Sequence, residues 1–115
     1  MASAAPGRLR RGREFDAVFE YGRVEQGRLI VLRARPNGLG QSRWGFAVGK
    51  RLAPRSVVRN RLRRRLREGV RMSQGAAGWD FIAVARPALL NASFAAAASE
   101  LQSLVTRAVA HEASA

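Results

Sequence analysis

The segment spanning residues 57–71, VVRNRLRRRLREGVR, combines a regular apolar spacing with a concentration of like charge, and it constrains the fold more than any other. It contains seven arginines and a single acidic residue, Glu68. Its aliphatic residues recur at every fourth position, at Val58, Leu62, Leu66 and Val70. Such spacing places them on one side of an α-helix. The sequence therefore predicts a helix over residues 56–72 with one face packed on a core.

The opposite face of this helix is predicted to be a continuous guanidinium surface. One ridge along it contains Asn60, Arg64, Arg67 and Arg71, whereas Arg59 alone falls on the apolar side. The wider window 43–71 holds 11 basic residues and one acid, so it supplies +10 of the formal net charge of +13. A helix face that is merely solvated normally mixes both signs of charge. This segregation favours a polyanionic partner over a solvated face.

The composition of the helix narrows the choice of polyanion. A helix that binds a membrane surface carries bulky aromatic residues on its apolar face, but this one has only aliphatic residues there. A helix that recognises DNA usually mixes asparagine, glutamine and serine among its arginines to contact base edges, and this face offers Asn60 alone. RNA is the partner that the helix favours, and a structural RNA-binding protein, such as a ribosomal protein or an RNA chaperone, fits that pattern.

The groups that catalysis by protein side chains requires are scarce. The chain has no cysteine, and its eight acidic residues form no D-x-D or E-x-x-H pair. The only histidine, His111, lies near the end of the chain. This composition argues against a thiol nucleophile and against a two-metal nuclease site in the protein. No apolar run approaches the length of a membrane span and no secretory signal is present, so the chain is expected to be cytoplasmic.

The rest of the sequence predicts one mixed domain. Residues 1–7 are small and polar and are predicted to be disordered, and residues 8–112 are predicted to form a single RNA-binding domain. The expected elements are a helix at 11–21, a strand at 22–27, strands at 28–35 and 43–50 paired as a hairpin, the arginine helix, a strand at 79–86 and a helix at 91–112. This order, α-β-β-β-α-β-α, predicts an α+β fold with one sheet of about four strands and three helices.

Three blocks of the sequence resemble one known family. RNRLRRRLRE (59–68), preceded by GFAVGKRLAPRSVV (45–58), is similar to the signature of the bacterial ribonuclease P protein family. RLRRGREFDAVFEYGR (8–23) resembles the family's first helix, and WDFIAVARP (79–87) resembles its last strand. The blocks occur in the family's order and the resemblance runs from about residue 8 to residue 107. The family fold implies a left-handed β-α-β crossover.

The resemblance also implies a function. In that family the protein is the accessory subunit of a ribonucleoprotein endonuclease whose catalytic subunit is RNA. The complex removes the 5′ leader of precursor tRNA with the help of divalent metal ions such as Mg²⁺. The protein binds the catalytic RNA and the leader, and holds no metal of its own. The expected partners are therefore the catalytic RNA subunit and precursor tRNA, with no membrane and no small-molecule substrate.

The resemblance assigns two sets of binding residues. Those that would contact the catalytic RNA are Arg59, Asn60, Arg61, Arg64, Arg65 and Arg67. Those that would contact the leader are Phe15, Phe19, Lys50, Arg51 and Arg86.

Three features of these assignments stay open in the sequence. The spacing of Phe15 and Phe19 is that of a core face, whereas the resemblance favours exposure of at least one of them in a cleft. Ala47 and Gly49 stand where the family often has serine. Gly69 interrupts the arginine helix, where glycine costs about 1 kcal/mol relative to alanine, and the helix is expected to fray or bend there.

Overall fold

A computed structural model describes residues 7–72 and 77–114 of the chain. Their strands are β1 (Gly7–Arg8), β2 (Arg23–Gln26), β3 (Ile30–Pro36), β4 (Arg43–Ala47) and β5 (Trp79–Ala85). Their α-helices are α1 (Arg13–Tyr21), α2 (Ser56–Met72) and α3 (Phe94–Ser114), and a short 3₁₀ helix spans Pro87–Asn91. The predicted α+β class and three helices are confirmed, with one strand more than expected.

The extra strand is β1, at the start of the described chain. Gly7 and Arg8 pair in parallel with Arg43 and Trp44 of β4, although Gly7 had been assigned to the disordered tail. Residues 1–6, which make up the rest of that predicted tail, lie outside the described residues. Helix α1 begins at Arg13, two residues later than predicted.

The five strands form one mixed sheet in the order β1-β4-β5-β3-β2. The predicted strand at 22–27 is confirmed as β2, which pairs antiparallel with β3. The predicted hairpin between residues 28–35 and 43–50 is wrong, because β5 lies between β3 and β4 and pairs with both. The physical reason is burial: residues 79–83 of β5 are buried, so their backbone N–H and C=O groups require hydrogen-bond partners on both sides of the strand.

Strands β4 and β5 are parallel, so α2 forms the crossover between them. The hand of this crossover stays a prediction from the family resemblance. The parallel arrangement has a consequence for function, because it brings the carboxyl ends of β4 and β5 to the same end of the sheet.

Helices α2 and α3 cover one face of the sheet, and the main core lies between them and the strands. The aliphatic stripe of α2 is confirmed: Leu62, Leu66 and Val70 are buried and Val58 packs against them. Trp44 and Phe46 are also buried there and stack on each other with their ring centroids 6.1 Å apart.

Gly69 lies where α2 crosses α3. A Cβ atom at this position would lie 3.2 Å from Cδ1 of Leu101 and 3.5 Å from Cα of Ala98, so the glycine permits the close approach of the two helices. The expected fraying at Gly69 is wrong, because α2 continues to Met72. Packing against α3 offsets the low helix propensity of glycine.

Helix α1 lies on the other face of the sheet over a smaller cluster. This cluster contains Leu9, Phe15, Val18 and Ile82, and Ala47 and Val84 are half-buried beside it. Because a single nine-residue helix covers this face, part of the face is left accessible beside it. The two faces of the sheet thus have different roles, one holding the main core and the other offering a partly open surface.

Candidate nucleic-acid interface

The predicted arginine surface divides into two groups on α2. Asn60, Arg61, Arg64 and Arg67 are exposed and form what we call the α2 arginine face. Arg59 and Arg65 are half-buried instead, because their guanidinium groups donate hydrogen bonds to the protein. Nη1 of Arg59 lies 2.9 Å and 2.8 Å from the carbonyl oxygens of Ala53 and Pro54, and Nη1 of Arg65 lies 3.1 Å from the carbonyl oxygen of Ala92.

These contacts give the two groups different roles. Arg59 fastens the start of α2 to the preceding loop, and Arg65 fastens the middle of α2 to the segment before α3. Within the described chain, neither Arg61 nor Arg64 forms a hydrogen bond or an ion pair. Their donors are therefore available to an external acceptor, and phosphate oxygens suit the guanidinium fork well.

Arg63 lies between the apolar stripe and the α2 arginine face. Its Nη1 donates to Oδ1 of Asn60 at 3.1 Å, whereas its Nε is buried and has no partner in the described chain. Burial lowers the pKa of Arg63, and the positive charges of Arg11, Arg59 and Arg67 lower it further. Arg63 is thus surrounded by positive charge from α2 itself and from the segment before α1.

The two predicted aromatic residues of α1 have different environments. Phe15 is buried, and its ring lies against Gly45 of β4, where a Cβ atom would overlap it. Phe19 is 40% exposed. Phe15 therefore belongs to the core, which corrects its assignment to the leader site. The ring of Phe19 remains accessible to a ligand.

Sequence reasoning missed the arginines that face α1 from β3. Cζ of Arg33 lies 4.8 Å from the ring centroid of Phe19, and Nη1 of Arg33 donates to the carbonyl oxygen of Phe19 at 3.2 Å. Arg35 lies in the same way over Tyr21, at 5.3 Å. The signal was present in the alternation of β3, because Ile30, Leu32 and Ala34 point into the main core and the intervening arginines must point to the other face.

The predicted basic residues of the leader site lie at one end of the sheet. Lys50 and Arg51 follow β4, and Arg86 follows β5, so the parallel pairing of these strands brings them together. All three are exposed. Nη1 of Arg86 lies 3.3 Å from both Oε1 of Gln26 and the carbonyl oxygen of Gly27, which directs its side chain towards the β2–β3 loop.

A shallow apolar row connects these basic residues to α1. Ala47, Val84 and Val31 are aligned across β4, β5 and β3, and all are half-buried on the face that carries α1. Together with Phe19 and Arg33 they form what we call the α1 cleft. At Gly49 a Cβ atom would meet nothing within 4 Å, so the cleft is open at that end.

The acidic residues do not create a metal site. No group of three or more histidine, aspartate or glutamate side chains that could hold a metal ion occurs in residues 7–72 and 77–114. Asp80 is held by Nε and Nη2 of Arg43 at 2.8 Å and 2.7 Å, and this hydrogen bonding raises the pKa of Arg43. The Asp80 carboxylate is thus engaged by Arg43 within the protein. No helix in the described part is long and apolar enough to cross a membrane.

A small α+β domain with an arginine face and an aromatic cleft is typical of an RNA-binding protein. A family model described as Ribonuclease P matches residues 4–109. The ribonuclease P protein component of Roseiflexus castenholzii is 45% identical over 103 residues, which are 87% of this chain and 80% of that protein. That of Azotobacter vinelandii is 44% identical over 79 residues, 67% of this chain and 61% of that protein.

Solved structures agree with these relatives. The RNase P protein of Thermotoga maritima superposes with a TM-score of 0.80 at 29% identity, covering 87% of this chain and 96% of that one. The chain belongs to the ribonuclease P protein family. It is accordingly a tRNA-processing protein and a component of a ribonucleoprotein.

Proposed function

We propose that this chain is the accessory protein subunit of a ribonuclease P in which RNA performs the cleavage. It binds the catalytic RNA through the α2 arginine face and the 5′ leader of precursor tRNA through the α1 cleft. The observation that carries the proposal is that Arg61 and Arg64 are exposed on α2 and that their N–H donors have no partner in the described chain. Such donors suit the phosphates of a folded RNA.

The α1 cleft suits a short single strand. Unpaired bases stack on aromatic rings and on guanidinium planes, and the Phe19–Arg33 pair offers both surfaces at 4.8 Å from each other. Lys50, Arg51 and Arg86 supply positive charge at the open end of the cleft for the backbone phosphates. Because stacking and phosphate contacts depend little on base identity, the cleft is expected to bind leaders of different sequence.

The protein assists the chemistry indirectly in this proposal. The Mg²⁺ ions that the reaction uses are held by RNA and substrate in this proposal, because residues 7–72 and 77–114 contain no group of three or more acidic or histidine side chains that could hold a metal ion. A polycationic subunit instead reduces the repulsion between the two RNAs. It thereby lowers the concentration of Mg²⁺ at which the catalytic RNA and its substrate associate.

The proposal is tested by cleavage of a precursor tRNA at low Mg²⁺, using the catalytic RNA of the same organism with and without this protein. We expect the protein to restore leader removal that the RNA alone performs poorly. A matched reaction at high Mg²⁺ provides the control, since there the RNA requires the protein less. If the protein binds RNA tightly but cleavage at low Mg²⁺ is unchanged, a structural RNA-binding role replaces the proposal.

Replacing Phe19 with alanine is expected to weaken binding of leader-bearing precursor tRNA by about tenfold, because one stacked base is worth roughly 1–3 kcal/mol. Binding of mature tRNA should change little, since it has no leader. The measurement compares the dissociation constants of holoenzymes for the two RNAs.

Phe15→Ala is the matched control for this prediction. Because Phe15 is buried, its truncation should lower the free energy of unfolding by about 3–5 kcal/mol, whereas Phe19→Ala should leave it nearly unchanged. Equal losses of affinity for precursor and mature tRNA in Phe19→Ala would remove this ring from the leader site.

A further inference from the structure

The exposed aromatic surface beside α1 does not end at the Phe19–Arg33 pair. Tyr21, the last residue of α1, is 67% exposed, and Cζ of Arg35 lies 5.3 Å from its ring centroid. Val24 of β2, the cross-strand partner of Arg33, is 41% exposed. Three exposed apolar side chains and two arginines thus lie side by side, and exposed apolar groups that cluster in this way commonly mark a binding surface.

This surface continues the α1 cleft along β3. Val31, Arg33 and Arg35 alternate along the strand and therefore point to the face that carries α1. Each step of two residues advances roughly 7 Å along the strand. Because β3 runs antiparallel to β5, Arg35 lies at the end of the sheet away from the basic residues of the cleft. The row therefore leads from the basic end, past the pair of Arg33 with Phe19, to the pair of Arg35 with Tyr21.

We propose that Tyr21 and Arg35 form a second stacking position for the 5′ leader. It binds the base of a nucleotide that lies farther from the cleavage site than the base held by the Phe19–Arg33 pair. The inference rests on the proposed function, because its ligand is the same single strand. Aromatic rings and guanidinium groups both stack on unpaired bases. The second position gives the protein a preference for precursors whose leaders are long enough to reach it.

The guanidinium group of Arg35 keeps its donors available to RNA. Asp80 is the partner of Arg35 across β5. Its carboxylate already accepts hydrogen bonds from Arg43 at 2.8 Å and 2.7 Å and from Nδ2 of Asn37 at 2.8 Å. Within the described chain, the Arg35 side chain forms no hydrogen bond or ion pair and contacts the ring of Tyr21. The pair therefore offers an exposed ring for a base and N–H donors for a neighbouring phosphate.

The position of α2 gives the leader its direction along this row. Lys50 and Arg51 lie between β4 and α2 in the chain, so the basic end of the cleft is joined to the start of the helix that is proposed to bind the catalytic RNA. A leader that departs from the cleavage site on this RNA enters the cleft at its basic end and passes Phe19. It then reaches Tyr21, so only a longer leader contacts the second position.

The first test measures the affinity of the holoenzyme for precursor tRNAs whose leaders are lengthened one nucleotide at a time. The affinity of the wild-type holoenzyme should rise in two steps, each of about tenfold, as a base reaches first Phe19 and then Tyr21. Tyr21→Leu keeps an apolar side chain but removes the ring, so it should abolish the second step alone. Tyr21→Phe is the matched control and should keep both steps. A second step that survives in Tyr21→Leu, or is lost in Tyr21→Phe, would overturn the proposal.

The second test removes the base instead of the ring. A single abasic nucleotide is placed at successive positions of a long leader, and binding is measured with wild-type and Tyr21→Leu holoenzymes. At the position that Tyr21 contacts, the abasic nucleotide should weaken wild-type binding by about tenfold but Tyr21→Leu binding hardly at all, because ring and base form one contact. At the position that Phe19 contacts, both holoenzymes should lose affinity equally. If the abasic effect were independent of Tyr21 at every position, the Tyr21–Arg35 pair would serve only to hold the end of α1 on the sheet.

These results distinguish the inference from the function on which it rests. If Phe19→Ala weakens binding of long leaders and Tyr21→Leu does not, the α1 cleft stands and the second position is wrong. If the protein restores cleavage at low Mg²⁺ but affinity is independent of leader length, both stacking positions are wrong and only the contact with the catalytic RNA remains. A protein that neither restores cleavage nor binds the catalytic RNA would overturn the proposed function itself, and the inference with it.

Discussion

Replacing Glu100 with glutamine is expected to lower the free energy of unfolding by about 3 kcal/mol. The Glu100 carboxylate on α3 accepts hydrogen bonds from three backbone N–H groups, at 3.0 Å, 2.8 Å and 2.7 Å. The donors are Arg28 and Leu29 of the β2–β3 loop and Ile30, the first residue of β3. The loop closes tightly around the carboxylate, since a Cβ atom at Gly27 would lie 2.6 Å from Oε2 of Glu100. A glutamine amide replaces one acceptor oxygen by an NH2 group, which cannot accept a hydrogen bond, so at least one of these backbone N–H groups is left unsatisfied.

Urea denaturation followed by tryptophan fluorescence measures this loss. Glu112→Gln is the matched control, because Glu112 lies on the same helix but forms an exposed ion pair with Arg23 at 3.2 Å. Such pairs contribute about 0–1 kcal/mol. If the two variants were equally stable, the three backbone contacts of Glu100 would not hold the loop in solution.

The Glu100 prediction also concerns the leader site. The β2–β3 loop carries the carbonyl oxygen of Gly27, which accepts a hydrogen bond from Arg86 at 3.3 Å. A loop released from α3 would leave Arg86 less well positioned. Glu100→Gln should therefore weaken leader binding modestly even under conditions in which the domain remains folded.

The double substitution Arg61→Ala with Arg64→Ala is expected to have the largest effect on RNA binding. Each removes one phosphate contact, so affinity for the catalytic RNA should fall by about a hundredfold, and the slope of log affinity against log salt should decrease by about two. The fold should be retained, because neither side chain bonds to any other residue of the described chain. Filter binding over a range of salt concentrations measures both quantities.

The control for this variant matches its change in net charge. Arg23 and Arg28 begin and follow β2, at the edge of the sheet opposite β1 and β4. Arg23→Ala with Arg28→Ala also removes two positive charges, but should change the salt slope little. If both double variants lowered the slope equally, RNA binding would depend on overall charge and the α2 arginine face would lose its assignment.

The sequence pattern shows which residues share a helix face or a strand, but it does not show contacts between distant parts of the chain, and this limited the assignment of functional residues. The six residues expected to contact the catalytic RNA were correctly placed on one helix, but the pattern did not show that Arg59 and Arg65 bond to carbonyl oxygens of Ala53 and Ala92. Those acceptors lie 6 and 27 residues away in the sequence. Arg33 was missed for the same reason, since its importance arises from the ring of Phe19, which belongs to another element.

The sequence by itself determined the helices, the stripe of α2 that packs in the core and the segregation of charge on the opposite face. These depend on the periodicity of neighbouring residues, which acts over one or two turns of helix. Only the tertiary structure decided that β5 separates β3 from β4, that Phe15 is buried while Phe19 is exposed, and which arginines keep their donors free. Each of these outcomes depends on contacts between residues far apart in the chain, where burial of a whole strand or a ring outweighs local preference.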